Sequence, residues 1–268
     1  MENTEIKIGF IGCGIMGGAL IRAFIQTVTP ANICISAAHF GNAQTLAQET
    51  GCTACKTNAE TAALADYVFL AVKPAYAVSV LSEIRTNLKK NATLISMAAG
   101  VPLEKLRTAA GRTAVIRIMP NLPALVGEAM TALCCGPEVN PEAVRTVTSL
   151  LNTAGKVEKI DEKLMDCVTA VSGSGPAYAF LFIEALADAA VRFGMPRQQA
   201  YIYASQTLKG AAEMCLKDGR CPAALKDAVC SPAGTTIEGV TTLEKTGFRT
   251  AIIEAATAAY NKSAAMAK

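Results

Sequence analysis

One histidine, His39, stands in a chain of 268 residues, and that scarcity narrows the chemistry at once. Zinc is held mainly by histidine and paired cysteines. Here Cys52-x-x-Cys55 has no second pair at zinc spacing and Cys134-Cys135 is simply vicinal, so no metal is expected. Blocks of one charge sign are missing too. Lys and Arg total 25 against 22 Asp and Glu, a net charge of +3, with no basic run or aromatic-interleaved basic stripe. Nucleic acid is therefore excluded as a partner. The acidic start, Met1-Glu2-Asn3-Thr4-Glu5, does not read as a signal peptide. The most apolar helix, Pro176 to Phe193, carries Glu184, Asp188 and Arg192 at four-residue spacing. That charged stripe argues against a membrane span. Ten cysteines without a secretory signal read as small buried hydrophobes in a reducing, cytoplasmic compartment.

What is present is a large apolar fraction, 51%, enough to bury the core of one large or two modest domains. Near the N-terminus an apolar strand, Ile6 to Ile11, feeds Gly12-Cys13-Gly14-Ile15-Met16-Gly17, and a helical stretch from Ile15 to about Val28 follows. In a dinucleotide site the first glycine makes a tight turn, the second lets backbone approach the pyrophosphate, and the third packs helix on strand. Further buried strands are predicted at Ile33–Ser36, Tyr67–Val72, Thr93–Ser96 and Ala114–Ile118, alternating with helices. This alternation predicts an α/β fold, a parallel, Rossmann-type doubly wound sheet over residues 1–160. Ligands in such sheets bind beyond the carboxyl ends of the strands, where Ser36, Lys73-Pro74, Ala98-Ala99-Gly100 and Met119-Pro120-Asn121 fall.

From about Asp161 helical periodicity takes over, at Asp161–Val171, Pro176–Phe193, Arg197–Lys217 and Thr235 to the end. Residues 161–268 thus read as an all-α domain, apolar enough to pack on a second copy of itself. Within it, Cys230-Ser231-Pro232-Ala233-Gly234-Thr235-Thr236-Ile237-Glu238 runs from a polar turn into a helix. Thr235 and Glu238 have the spacing of a capping box. The helix start offers N–H groups to a carboxylate or phosphate, and Gly234 leaves room for its approach.

A dinucleotide domain joined to a helical one points to hydride transfer. His39 follows the second strand, on the adenosine side, so a histidine-dependent alcohol or 2-hydroxy-acid dehydrogenase is excluded. Related 3-hydroxy-acid dehydrogenases place a lysine after a Gly-x-Gly turn, but Ser172-Gly173-Ser174-Gly175-Pro176-Ala177-Tyr178 has none. A substrate needing no strong protein acid is implied. An imine qualifies, because its nitrogen arrives protonated and its carbon is already electrophilic.

The chain resembles the Δ1-pyrroline-5-carboxylate reductase family over essentially its whole length. The likeness lies in Gly9 to Gly14, Leu70 to Pro74, Ala98 to Val101, Met119 to Ala124, Leu122 to Cys134, Ser172 to Tyr178 and Gly247 to Arg249. Its most specific part is Pro222 to Asp227 leading into Ser231-Pro232-Ala233-Gly234-Thr235-Thr236. The resemblance implies NAD(P)H-dependent reduction of 1-pyrroline-5-carboxylate to L-proline by an oxidoreductase acting on a CH–NH bond. It implies a helical dimerisation domain and a homodimer or higher assembly. It assigns cofactor contacts to Ile11, Gly12, Cys13, Gly14, Ile15 and Met16, to Ser36 and Asn58, and to Ala71, Lys73, Pro74 and Ala99. Substrate contacts fall to Ser231, Gly234, Thr235, Thr236 and Glu162, with Thr236 as the catalytic hydroxyl near the ring nitrogen. Lys73 could equally be a strand-end surface residue, and Asn58 could cap its helix. The second strand ends without the carboxylate that favours NADH, so NADPH is the expected cofactor, with NADH possible. The chain departs from the family where Ala233 replaces a usual glycine, Ala228 an amide and Ala38 a frequent arginine. Alternatives are a same-fold reductase of another cyclic imine or hydroxy acid, and a non-catalytic dinucleotide-binding protein.

Overall fold

Ile8, Phe10 and Ile11 are almost wholly inaccessible to solvent, which requires a strand covered on both faces. The computed structural model describes residues 6–111 and 113–266 and provides that cover. Strands and helices alternate: β1 (Ile8–Ile11), α1 (Ile15–Phe24), β2 (Ile33–Ser36), α2 (Phe40–Thr50), β3 (Thr53–Ala54), α3 (Asn58–Leu64), β4 (Tyr67–Leu70), α4 (Pro74–Ile84), β5 (Thr93–Ser96), α5 (Leu103–Ala110), β6 (Ala114–Met119). After them come β7 (Ala129–Cys135), α6 (Pro141–Asn152) and β8 (Gly155–Lys159). They form one sheet of order β3-β2-β1-β4-β5-β6-β7-β8. Register pairs Phe10 with Ile35 on one side and with Phe69 on the other.

One face of the sheet buries Phe10, Phe24 and Phe69, with Phe10 and Phe69 stacked at 4.8 Å between ring centroids. The other buries Val68, Leu70, Leu81, Leu94 and Leu106. All ten cysteines are free thiols. Burial pushes the thiols of Cys34 and Cys134 up to about 12, so they behave as inert apolar groups.

The sheet is the expected doubly wound, mainly parallel one, with a single reversal. β1 to β6 are parallel, but β7 runs antiparallel to β6, and β8 is parallel to β7. The connection from Met119 to Ala129 holds only a single 3-10 turn, Leu122–Val126. A parallel return would need a longer crossover, so the chain reverses. Helix α1 also ends at Phe24, earlier than its apolar pattern suggested.

The helical part contains α7 (Met165–Val168), a π turn at Thr169–Gly173, α8 (Gly175–Arg192), α9 (Arg197–Lys217), α10 (Pro222–Val229), α11 (Thr235–Lys245) and α12 (Phe248–Met266). By contacts the chain divides into a first unit, Met1–Ser174 with Ala259–Lys268, and a second, Gly175–Ala258. The sheet itself ends at Lys159, but Met165 and Ala170 are buried within the first unit. In the second unit α8 and α9 close around Ala187, Ala200 and Ala204.

Candidate functional site

The three glycines after β1 differ in what demands them. Gly12 sits at φ +101°, and a Cβ there would lie 2.4 Å from the carbonyl oxygen of Ala71. At Gly17 a Cβ would lie 2.6 Å from the carbonyl oxygen of Gly12. The fold itself therefore forbids side chains at both. Gly14 is another matter: nothing lies within 4 Å of its would-be Cβ, and its φ of −67° suits any residue. Its backbone caps α1 with no side-chain bond. What Gly14 preserves is open space at a helix start, the shape a pyrophosphate requires. Beside it opens a cleft of about 670 Å³, lined among others by Cys13, Ile15, Asn42, Leu122 and Leu125. An Arg22–Glu49 pair with two contacts, 2.7 and 2.8 Å, lies along it. Cys13 is half-buried, and burial raises its thiol above the ordinary range.

The other expected cofactor residues gather on the same rim. Ala71, Lys73 and Pro74 follow β4, and Ala99 follows β5. Lys73 is exposed at the start of α4. Ser36 is fully buried, and its hydroxyl donates to Oδ1 of Asn58 at 2.9 Å. That proton is committed, so Ser36 orients Asn58 instead of reaching outward. Asn58 does not cap α3. Thr57 does, accepting from the Glu60 N–H at 3.1 Å, while Glu60 returns a bond to the Lys56 N–H. His39 stands exposed just before α2, with no carboxylate beside it at the end of β2.

In the second unit, the Gly234 N–H donates to the Ser231 carbonyl at 3.0 Å, closing a turn just before α11. The expected capping box does not form. Gly234 is the cap, no side chain bonds to it, and Thr235 and Glu238 both lie inside the first turns of the helix. A Cβ on Gly234 would meet Ser231 Oγ at 2.3 Å, so its lack of side chain serves this turn. The first N–H groups of α11 thus carry no side-chain cap. Ala233 has φ +58°, the sole non-glycine with positive φ among the described residues. The family's usual glycine is absent where left-handed backbone would favour it, at a cost of about 1 kcal/mol.

Glu162 lies in the first unit and is engaged within it. Its Oε1 accepts from the Leu103 N–H at 2.6 Å and from Arg117 Nη1 at 3.1 Å. Arg117 is buried on β6, so this carboxylate neutralises an interior charge. Both bonds fall on Oε1. Sequence reasoning also overlooked Asn121 as a side chain. Its amide donates to the Ser172 carbonyl and Oγ, each at 3.2 Å, and its oxygen accepts from the Met130 N–H. The Met-Pro-Asn rim motif was visible, but nothing in it reveals partners 9 and 51 residues away.

A doubly wound sheet with an open glycine turn at its carboxyl edge, followed by a helical unit, defines a dinucleotide-dependent oxidoreductase fold. The comparisons with known proteins narrow this. Residues 7–100 match the family described as "NADP oxidoreductase coenzyme F420-dependent", and residues 162–266 match "Pyrroline-5-carboxylate reductase dimerisation". The chain is 46% identical to the pyrroline-5-carboxylate reductase of Escherichia coli K12, covering 98% of this chain and 99% of that one. It is 42% identical to the Methanosarcina acetivorans enzyme over the full length of both. A crystal structure of Plasmodium falciparum pyrroline carboxylate reductase with NADP bound superposes at a TM-score of 0.91, with 36% identity and full coverage of both chains. The chain belongs to the pyrroline-5-carboxylate reductase family. Prephenate dehydrogenase from Aquifex aeolicus, 14% identical at a TM-score of 0.54, shares the fold alone.

Proposed function

We propose that this protein reduces 1-pyrroline-5-carboxylate to L-proline with NADPH, the last step of proline biosynthesis. The observation that carries the reading is Gly14, a glycine of the turn after β1 that meets no protein atom and leaves the helix start open where a pyrophosphate would sit. The family's relatives, and the NADP on the Plasmodium structure, supply the substrate and cofactor classes. NADH is accepted less well, because the end of β2 has no acid to hold a ribose 2′-hydroxyl.

When bound, the reduced nicotinamide supplies the hydride. The chain's own residues do the rest. Backbone from Ile11 to Met16 holds the pyrophosphate, Asn58, set by Ser36, meets the adenosine ribose, and Ala71, Lys73, Pro74 and Ala99 border the remainder. The uncapped start of α11, Gly234 to Thr236, binds the substrate carboxylate, and Ser231 shapes that turn. The Thr236 hydroxyl orients the ring nitrogen. The division of labour follows the chain, with cofactor on 1–160 and substrate and pairing on 161–268.

The same reading makes a second copy of the chain the partner. Glu162–Arg192 is the one run among the described residues long and apolar enough to cross a membrane by length and composition, and only 11% of its 18-residue apolar stretch is buried. The dimerisation family covers all of it. An apolar cavity of about 470 Å³ lined by Leu181, Phe182, Leu243, Phe248 and Ile252 fits the same account. A cytoplasmic location accords with ten free thiols.

The test is absorbance loss at the NADPH band on adding 1-pyrroline-5-carboxylate, beside six-membered imines and hydroxy acids. Turnover fastest on the five-ring imine supports the reading. Faster turnover on another substrate installs the alternative reductase. NADPH binding without turnover on any of them leaves a non-catalytic binding protein.

A further inference from the structure

Two carboxylates on one short stretch brace the loop after β5, one directly and one through the end of α12. Glu162 accepts from the backbone N–H of Leu103, where α5 begins. Four residues on, Asp166 accepts from the Ser263 hydroxyl at 2.6 Å. Ser263 is buried near the end of α12. Its helix turn leans on Gly100, where a Cβ would lie 2.7 Å from Met266 Cβ and 3.4 Å from the Ser263 carbonyl oxygen. Gly100 holds φ +70°, so the contact and the backbone conformation both require glycine there. Within the loop, the Ala98 N–H donates to Ser96 Oγ at 3.3 Å, and the Val101 N–H donates to the Ala98 carbonyl. The segment so fixed, Ala98 to Leu103, includes Ala99 on the carboxyl rim of the sheet.

We propose that Asp166 and Ser263, with Glu162 at the far end of the loop, are positioning residues that hold the Ala99 turn ready for the cofactor. The inference rests on the reductase reading. Its physical content is preorganisation: a turn already ordered in the free protein need not be ordered again when the dinucleotide arrives. Freeing the last turn of α12 releases Met266 from Gly100 and lets the Ala98–Val101 turn sample other shapes. The loss then appears in cofactor affinity, while the substrate site, on another part of the chain, is untouched.

The experiment is calorimetric titration of the full chain with NADPH, together with separate KM values for cofactor and imine and a thermal midpoint without ligand. Ser263→Ala and Asp166→Ala are expected to weaken NADPH binding about 3- to 10-fold, the range of one to two re-ordered groups. Asp166→Asn keeps an accepting oxygen and should stay within about twofold of the parent. KM for the imine should not move. Unchanged NADPH affinity in both alanine variants overturns the proposal, as does a loss shared equally by Asp166→Asn or by the imine KM. A parent chain that fails to bind NADPH overturns the reductase reading as well. A parent that binds and turns over beside variants that titrate identically overturns this inference alone.

Discussion

The sheet unit and the helical unit treat their apolar residues in opposite ways. In the first, Phe10, Phe24, Phe69 and the strands around them are sealed on both faces. In the second, among the described residues, only Ala187, Ala200, Ala204 and Leu225 are fully buried. Phe180, Leu181, Phe193, Ile202, Val229 and Ile253 are each more than half exposed. Exposure of that extent is not what a free-standing domain keeps in water. The first unit carries its own core, whereas the second has half of one.

Removing a large ring from each unit tests that contrast most strongly. Phe69→Ala should cost about 3–5 kcal/mol, because three packed rings cannot collapse onto the space. The loss should be the same at every protein concentration. Phe180→Ala should cost little per folded chain and much in association, so its melting midpoint should fall on dilution more steeply than the parent's. A parent chain whose midpoint ignores dilution would break the comparison, since the helical unit would then need no second copy.

The next largest effect lies at α11. Thr236→Val should cut kcat/KM about 10- to 1000-fold, the range of one directed hydrogen bond to a charged group. NADPH affinity should hardly change. Full activity in the valine variant would leave the backbone N–H groups of α11 as the whole substrate contact.

The glycine loop of the sheet unit offers an internal contrast. Gly12→Ala forces a left-handed residue against the Ala71 carbonyl and should lower stability by about 1–3 kcal/mol. Gly14→Ala meets no protein atom and should leave the urea midpoint in place, while weakening NADPH binding about tenfold or more. If Gly14→Ala binds NADPH as the parent does, the open space is not the pyrophosphate site. A smaller gain is expected inside the same unit. Among the described residues, Thr131 Oγ1 is the one buried side-chain polar atom without a partner. Thr131→Val should raise stability by about 1 kcal/mol, seen as a higher urea midpoint at constant slope.

These contrasts also explain what could be read from the residue pattern. Buried strands such as Ile33–Ser36 and Thr93–Ser96 are covered along their whole length and carry an apolar centre, and they stand where that pattern placed them. Thr53–Ala54 and Gly155–Lys159 are edge strands with exposed positions, so no apolar run marks them. The direction of β7 depends on how far a nine-residue connection reaches, which apolar periodicity does not encode. At the site, glycine spacing located the loop but could not separate the glycine required by φ from the one required by a ligand. Thr235 with Glu238 and Thr57 with Glu60 have the same spacing, yet only the second forms a cap. The Ser231–Gly234 turn sets the cap of α11 at Gly234, one residue before Thr235, and that turn is a matter of geometry. Glu162 spends its charge on Arg117, 45 residues away, a pairing no local pattern announces.

The smallest predicted effect concerns how each unit uses its ion pairs. In the sheet unit Asp66 accepts from the Lys7 backbone N–H at 3.0 Å and from Lys89 Nζ at 2.8 Å, joining the starts of β1 and β4. Burial pushes its carboxyl up, but Lys89 and the Lys7 N–H outweigh that and hold it below the ordinary range. A depressed folded pKa means the stabilisation is fully present above the unfolded value, about pH 3.9, and is lost as pH falls through the folded one. The side chain is 42% exposed, so solvent screening limits the gain to about 0.5 kcal/mol. In the helical unit the Asp218 carboxyl is likewise held low by Arg220, but the two stand only two residues apart, so the pair joins no separate elements and the unfolded chain can form it too. Asp66→Asn should therefore lower the urea midpoint slightly at pH 7, and the gap from the parent should close as pH falls below the ordinary carboxylate range. Asp218→Asn should show no such gap at physiological salt. A gap for Asp218→Asn as large as that for Asp66→Asn would mean that the pairs of the helical unit are buried in the working assembly, which would in turn measure how completely the second copy covers it.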